Sequence, residues 1–263
     1  MDWACGMIAA PRQSSESIHR SYESCLANGL NPLIFAEPGT IVPEAADTIC
    51  RPFTIAQRLQ YVEPSQSGKL GNCQNYLQCA ADLLEEFKTH EVILIVEDDA
   101  VLCSGSVSFV DGLCWPDEQC GAISLYAANV SSIRAGMRSE FRRMPRKYFM
   151  GSLAIAWRRE CLEGIVRAGG FRDWHGDAGQ RANPKIPRSD IKGVDTMLAV
   201  EMHKLNYDFW TFTRSLVNHH VPRGLRDNSA LNNGPSIGRR ATFRYVGDSP
   251  GNLRSVFGIR PTQ

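Results

Sequence analysis

The chain has 263 residues, with 29 Lys and Arg against 28 Asp and Glu for a net charge of +1, and 43% of its residues are hydrophobic. That length can bury a sizeable core, best read as one large α/β domain, and so balanced a charge builds no global field for nucleic acid or an acidic membrane. No apolar run reaches the roughly 20 residues that span a bilayer and no basic-then-apolar leader opens the chain, so a soluble, cytoplasmic protein is expected. Nine cysteines are scattered without a CxxC pair, which suits reduced thiols buried as small core residues better than disulfides or a zinc knuckle.

Trp3 to Ala10 reads as a first strand, broken by Ala10-Pro11-Arg12. Ser14 to Leu26 then carries Ile18, Tyr22, Cys25 and Leu26 at helical spacing, with serines able to cap its start and Asn28-Gly29 to close it. Pro32 to Ala36 is a second strand ending at Glu37-Pro38-Gly39, so the opening of the chain spells a βαβ unit of the kind that binds nucleotides. Pro11, Arg12 and Glu37 follow its two strands and are candidate nucleotide contacts. No GxGxxG follows the first strand, which argues against a dinucleotide fold of the dehydrogenase kind.

Thr40 to Gly68 is irregular, and its Gly68-Lys69 fails as a phosphate loop because Glu63 and Leu70 stand where Gly and Ser or Thr are needed. Leu70 to Lys88 is a long amphipathic helix whose start carries Lys69, Asn72 and Asn75. The exposed amides of a helix start can receive an anion or a nucleotide, although Asn72 serves equally well as a cap.

Glu91 to Leu102 organises the chain. Val92 to Val96 is a bare, β-branched apolar run, the pattern of a strand buried on both faces of a parallel sheet, and it ends without a turn residue in Glu97, Asp98 and Asp99. Three carboxylates are thus delivered to the carboxyl edge of the sheet, where open α/β folds place their ligands. Carboxylates crowded this closely repel one another unless a hard cation sits among them, so Mn2+ or Mg2+ is the expected cofactor. The bland reading of the triplet is a solvated strand end or a helix cap.

Beyond it, Val107 to Leu113 looks helical and Gly121 to Tyr126 looks like a further strand. Arg134 to Lys147 holds five arginines and a lysine against one acid, Glu140, a basic loop that is either solvated or meets a phosphorylated ligand. Phe149 to Trp157 is another apolar strand with Gly151-Ser152 at its entrance, where small residues let a ligand approach, and Arg159 to Ala168 is a helix. Trp174, His175 and Asp177 lie on a polar loop and are read as surface residues. Gly193-Val194-Asp195-Thr196 opens the next helix with Asp195 in the position of an N-cap, where a carboxylate is also kept ionised and could act as a base. Tyr207 to Thr213 is an aromatic-rich strand, and the His219-His220 pair that follows can supply an imidazole to a metal otherwise held by oxygens.

The strand ending in Glu97-Asp98-Asp99, followed in order by F-M-G-S-L-A-I-A-W, G-V-D-T-M-L and S-L-V-N-H-H, resembles a glycosyltransferase of the GT-A fold, of the bacterial kind with a DXD-type metal motif. The likeness runs from the first strand to about His220, and its first motif position is Glu rather than Asp. It implies a Rossmann-like, mostly parallel central sheet flanked by helices, a nucleotide-sugar donor with a UDP-sugar as default, and a carbohydrate or other hydroxyl acceptor. By the same resemblance Asp99 binds the metal that bridges the donor's pyrophosphate, His219 completes the metal site, and Glu97 or Asp98 meets the ribose or sugar. Asp195 takes the acceptor's proton with inversion, with Asp190 as the nearest substitute.

Arg223 and Arg226, on the loop after His220, would stabilise the departing nucleoside diphosphate, and Gly151 would lie against the donor. The expected organisation is a catalytic unit over 1–227 and a Gly- and Pro-rich extension or lid over 228–263. Two other classes compete: a metal-dependent nucleotidyltransferase, which would more typically show a Gly-rich, basic first loop than A-A-P-R, and a non-catalytic nucleotide-sugar or carbohydrate-binding protein.

Overall fold

The computed structural model describes residues 1–10, 15–37, 40–44, 51–52, 69–111, 115–126, 141–144, 152–168, 194–212 and 215–219. Among them the strands are β1 (Trp3–Ala9), β2 (Leu33–Ala36), β3 (Arg51–Pro52), β4 (Val92–Glu97), β5 (Ala100–Leu102), β6 (Cys120–Ser124), β7 (Phe141–Arg143), β8 (Ala154–Arg158), β9 (Asp208–Phe212) and β10 (Val217–His219). The helices are α1 (Glu16–Ala27), α2 (Lys69–Glu86), α3 (Ser106–Asp111), α4 (Arg159–Ala168) and α5 (Val194–Lys204).

Eight described strands form one sheet in the order β3-β2-β1-β4-β8-β6-β9-β7. β1, β2, β3 and β4 run parallel, β8 runs against both β4 and β6, β6 and β9 are parallel, and β7 is an antiparallel edge. Six of the eight therefore share one direction, giving the mostly parallel α/β sheet expected from the sequence. β4 shows why its residues make a central strand. Val92, Leu94 and Val96 enter the core on one face with Ile18, Tyr22 and Phe109, while Ile93 and Ile95 enter the other with Tyr76, Leu83, Leu162 and Leu198. Period-two alternation of side chains thus buries an all-apolar strand on both sides, with helices as the outer layers. α2 lies close against β1 at Gly6, where a Cβ would meet Leu83 Cδ1 at 2.7 Å and crowd Cys79 Sγ, so glycine admits the helix.

Several local expectations change. Ser15 precedes α1 with helical dihedrals and no capping bond from its side chain, whereas Asn28 and the left-handed Gly29 close the helix as anticipated. The described strand β8 starts at Ala154, five residues later than the apolar run suggested, with Ser152 and Leu153 forming a turn into it. No described helix is long and apolar enough to cross a membrane. Cys5, Cys25, Cys79, Cys103, Cys120 and Cys161 are buried free thiols. The extension over 228–263 and the loop carrying Trp174, His175 and Asp177 lie outside the described residues.

Candidate functional site

Parallel strands present their carboxyl ends to one edge of the sheet, and β4 ends there with Glu97. The triplet does not run straight off the strand: Asp98 and Asp99 are themselves the turn, and β5 resumes at Ala100. Asp98 is 3% and Asp99 5% exposed, so the turn is tucked in rather than solvated. α1 clasps it from behind. Ser21 Oγ donates to Glu97 O at 3.1 Å and to Ala100 O at 2.6 Å, and Ser24 Oγ accepts from Leu102 N at 3.0 Å. Asp98 Oδ2 accepts the Ala10 amide at 3.3 Å, placing it at the exit of β1.

Two elements bring distant residues to this turn. β10 pairs antiparallel with β5, setting His219 opposite Ala100, so that His219 Nε2 lies 3.0 Å from Asp99 Oδ2. β8, antiparallel to β4, contributes its amino end to the edge where the parallel strands contribute their carboxyl ends. Glu97 N donates to Leu153 O at 2.8 Å, and one residue earlier Ser152 Oγ donates to Glu97 Oε1 at 2.5 Å. The Ser152 amide in turn donates to Asp195 Oδ1 at 3.1 Å. α5 runs down the sheet ahead of β9, so its start also lies at this edge. Asp195 sits within the first turn of α5 rather than at the cap, because the helix already begins at Val194.

Electrostatically the site is overloaded with acid. The Glu97 carboxyl is pushed up to about 8, first by desolvation at the strand end, then by the charge of Asp99, with Asp195 and Asp98 adding and the Ser152 bond opposing. Burial and the charge of Asp98 also raise Glu37, whose amide bonds to Ala9 O at 2.9 Å, so this residue stands beside the acidic turn.

Among the described residues no group of three or more His, Cys, Asp and Glu side chains forms a ready metal cage. The Asp99–His219 pair nevertheless fits Mn2+ or Mg2+. Such ions are commonly held by one or two protein ligands while substrate phosphates and water complete the shell, and adjacent ligands of an octahedral ion at about 2.1 Å lie about 3 Å apart. Hard oxygens and one imidazole are a suitable donor set, and excess negative charge at the turn favours a cation.

No protein-family model matches this chain, and no curated protein matches it. Solved structures similar to it include a glycosyltransferase involved in the glycosylation of the major capsid of PBCV-1, at 13% identity and TM-score 0.36 over 70% of this chain and 79% of that one. A197 from STIV is similar at 11% identity and TM-score 0.43, over 84% and 87% of the two chains. The mannosyltransferase PcManGT from Pyrobaculum calidifontis, solved in complex with GDP-Man and Mn2+, is similar at 13% identity and TM-score 0.43, over 97% of this chain and 68% of that one. At these identities and scores the functional reading rests on the site and not on the likenesses.

Of the residues singled out from sequence, the structure gathers Glu97, Asp98, Asp99, Asp195, His219 and Glu37 at one edge. Asn75 lies close by but is buried, its amide donating to Phe35 O at 2.8 Å and tying α2 to the end of β2. For Lys69 and Asn72 only the helical backbone is described, and Pro11, Arg12, Gly151, Asp190, His220, Arg223 and Arg226 lie outside the described residues. Ser152 is the residue that sequence reasoning passed over. In sequence it reads only as a small residue at a strand entrance, and nothing local reveals that its hydroxyl and amide serve two different acids.

Proposed function

We propose that this chain is a metal-dependent glycosyltransferase of the GT-A kind, which moves a sugar from a nucleotide-sugar donor, a UDP-sugar by default, to a hydroxyl acceptor with inversion. One observation carries this reading: at the carboxyl edge of a mostly parallel sheet lie both an Asp99–His219 pair in direct contact and a further acid, Asp195, which accepts the Ser152 amide. An inverting nucleotide-sugar transferase needs both, a place for the donor's diphosphate and a base for the acceptor.

In this reading Asp99 and His219 hold Mn2+ or Mg2+, which when bound supplies charge stabilisation for the departing nucleoside diphosphate. Glu97 or Asp98 meets the ribose or sugar. Pro11, Arg12, Glu37, Lys69, Asn72 and Gly151 line the donor, Asn75 instead bracing the end of β2 from within the fold, and Arg223 and Arg226 bond its phosphates. A hydroxyl is a poor nucleophile until its proton is removed, and in this reading Asp195 accepts that proton. The Ser152 amide donates to one of its oxygens. Attack from the face opposite the leaving group then inverts the anomeric centre.

The test is incubation of the full chain with Mn2+, UDP- and GDP-sugars and a panel of hydroxyl acceptors. Metal-dependent release of nucleoside diphosphate with glycosylated product is the expected result. Release of pyrophosphate in a parallel incubation with nucleoside triphosphates and sugar phosphates, with no diphosphate released from the nucleotide sugars, would make the protein a nucleotidyltransferase, and donor binding without consumption across the panel would make it a binding protein.

A further inference from the structure

We propose that Ser152 is the positioning residue that holds the donor-side acid Glu97 and the acceptor-side acid Asp195 at a set separation, an assignment whose catalytic consequence rests on the glycosyl-transfer reading. The two acids come from elements remote in sequence, β4 and α5. Both converge on this one small residue: its hydroxyl donates to Glu97 Oε1 at 2.5 Å, and its amide to Asp195 Oδ1 at 3.1 Å. Ser152 itself has little freedom to drift, because the next residue accepts the Glu97 amide at 2.8 Å and the β4–β8 ladder continues through Val96 and Ala154.

The arrangement does for these acids what an outer hydrogen-bond partner does for a metal ligand: it removes rotamers that point the carboxylate elsewhere. A donor at Glu97 and an acceptor at Asp195 must meet in line, and a misplacement of about 1 Å can cost two orders of magnitude in rate. Glycine or alanine at 152 would keep the amide bond to Asp195 but release Glu97. Threonine keeps both donors, so hydroxyl loss can be separated from a change of volume.

Two measurements test the assignment. In the 15N-labelled full chain, without ligand, the Ser152 amide resonance should move in Asp195→Ala, which removes its acceptor, and also in Glu97→Ala, which removes the partner of its hydroxyl. A resonance unmoved by either substitution overturns the proposal, whatever the protein's reaction is. In the Mn2+-dependent assay with UDP- and GDP-sugars, Ser152→Ala should lower kcat by about 10–100-fold, the usual cost of losing such a partner, with the KM for the donor little changed. Ser152→Thr should recover kcat to within a few fold. Wild-type kcat in Ser152→Ala overturns the proposal, as does a loss that Ser152→Thr shares in full. Should the amide respond to both acids while the wild-type chain consumes no nucleotide sugar, the positioning role stands and the glycosyl-transfer reading falls.

Discussion

Two ends of the same sheet treat buried carboxylates in opposite ways. At the amino end of β9, Asp208 is fully buried and is met by Arg143 from the edge strand β7, so its charge is compensated by the chain's own cation. At the carboxyl end of β4, Glu97, Asp98 and Asp99 are packed beside one another and within reach of Asp195, and their mutual repulsion helps push Glu97 up to about 8. A carboxylate paired in place is the ordinary requirement of a buried charge. An accumulation of acids is costly to the apo fold and useful only where a cation or a proton is to be received.

The largest effect should come from removing the acid that touches His219. Asp99→Ala should abolish turnover and the Mn2+-dependent part of nucleoside diphosphate binding, followed by thermal shift with and without Mn2+. Its melting temperature without metal should not fall, because the change removes the strongest repulsive charge acting on Glu97. His219→Ala should weaken Mn2+ use more mildly. Full activity of Asp99→Ala, or of the wild type in excess chelator, would remove the metal from the mechanism.

Next comes Asp195. Asparagine keeps an oxygen for the Ser152 amide but cannot take a proton, so Asp195→Asn should lose about 10²–10⁴-fold in kcat, about 3–5 kcal/mol of barrier. It should melt near the wild-type temperature and still bind donor. Retention of more than about a tenth of wild-type kcat would assign Asp195 a structural role and leave the base elsewhere, Asp190 being the nearest candidate in sequence.

A smaller, pH-dependent effect follows from Glu97. Between about pH 4.5 and about pH 8 the folded metal-free protein keeps a proton on this group that the unfolded chain releases. Stability of the apo protein should therefore fall as pH rises through that window, and Mn2+, which competes with the proton, should stabilise more at pH 8 than at pH 6. Glu97→Gln should flatten the apo slope while keeping an acceptor for Ser152 Oγ. An unchanged slope in that variant would place the proton elsewhere.

The smallest effect on turnover belongs to the compensated acid. Arg143→Ala leaves Asp208 buried without its cation, a cost of about 1–3 kcal/mol given that Arg143 is half exposed. The melting temperature should drop by a few degrees, with Mn2+ affinity unchanged. Altered Mn2+ affinity in this variant would mean that the two ends of the sheet are not independent.

The sequence by itself determined the elements whose pattern is local. An unbroken β-branched run made β4 a buried strand, helical spacing placed α4 at Arg159–Ala168, and three successive acids marked the edge where a ligand belongs. The pairing of Asp99 with His219 was within reach only through the order of short motifs, and the contact between them depends on β10 folding back on β5. Tertiary structure alone decided that Asp98 and Asp99 form the turn, that Asp195 lies inside the first turn of α5, and above all that Ser152 joins Glu97 to Asp195. Side-chain periodicity reports which face of an element is buried, whereas strand order and direction are set by pairings between segments far apart in the chain. An antiparallel β8 inserted beside β4 turns a strand's beginning toward the ligand edge, and no feature of residues 149–158 read by themselves encodes that neighbour.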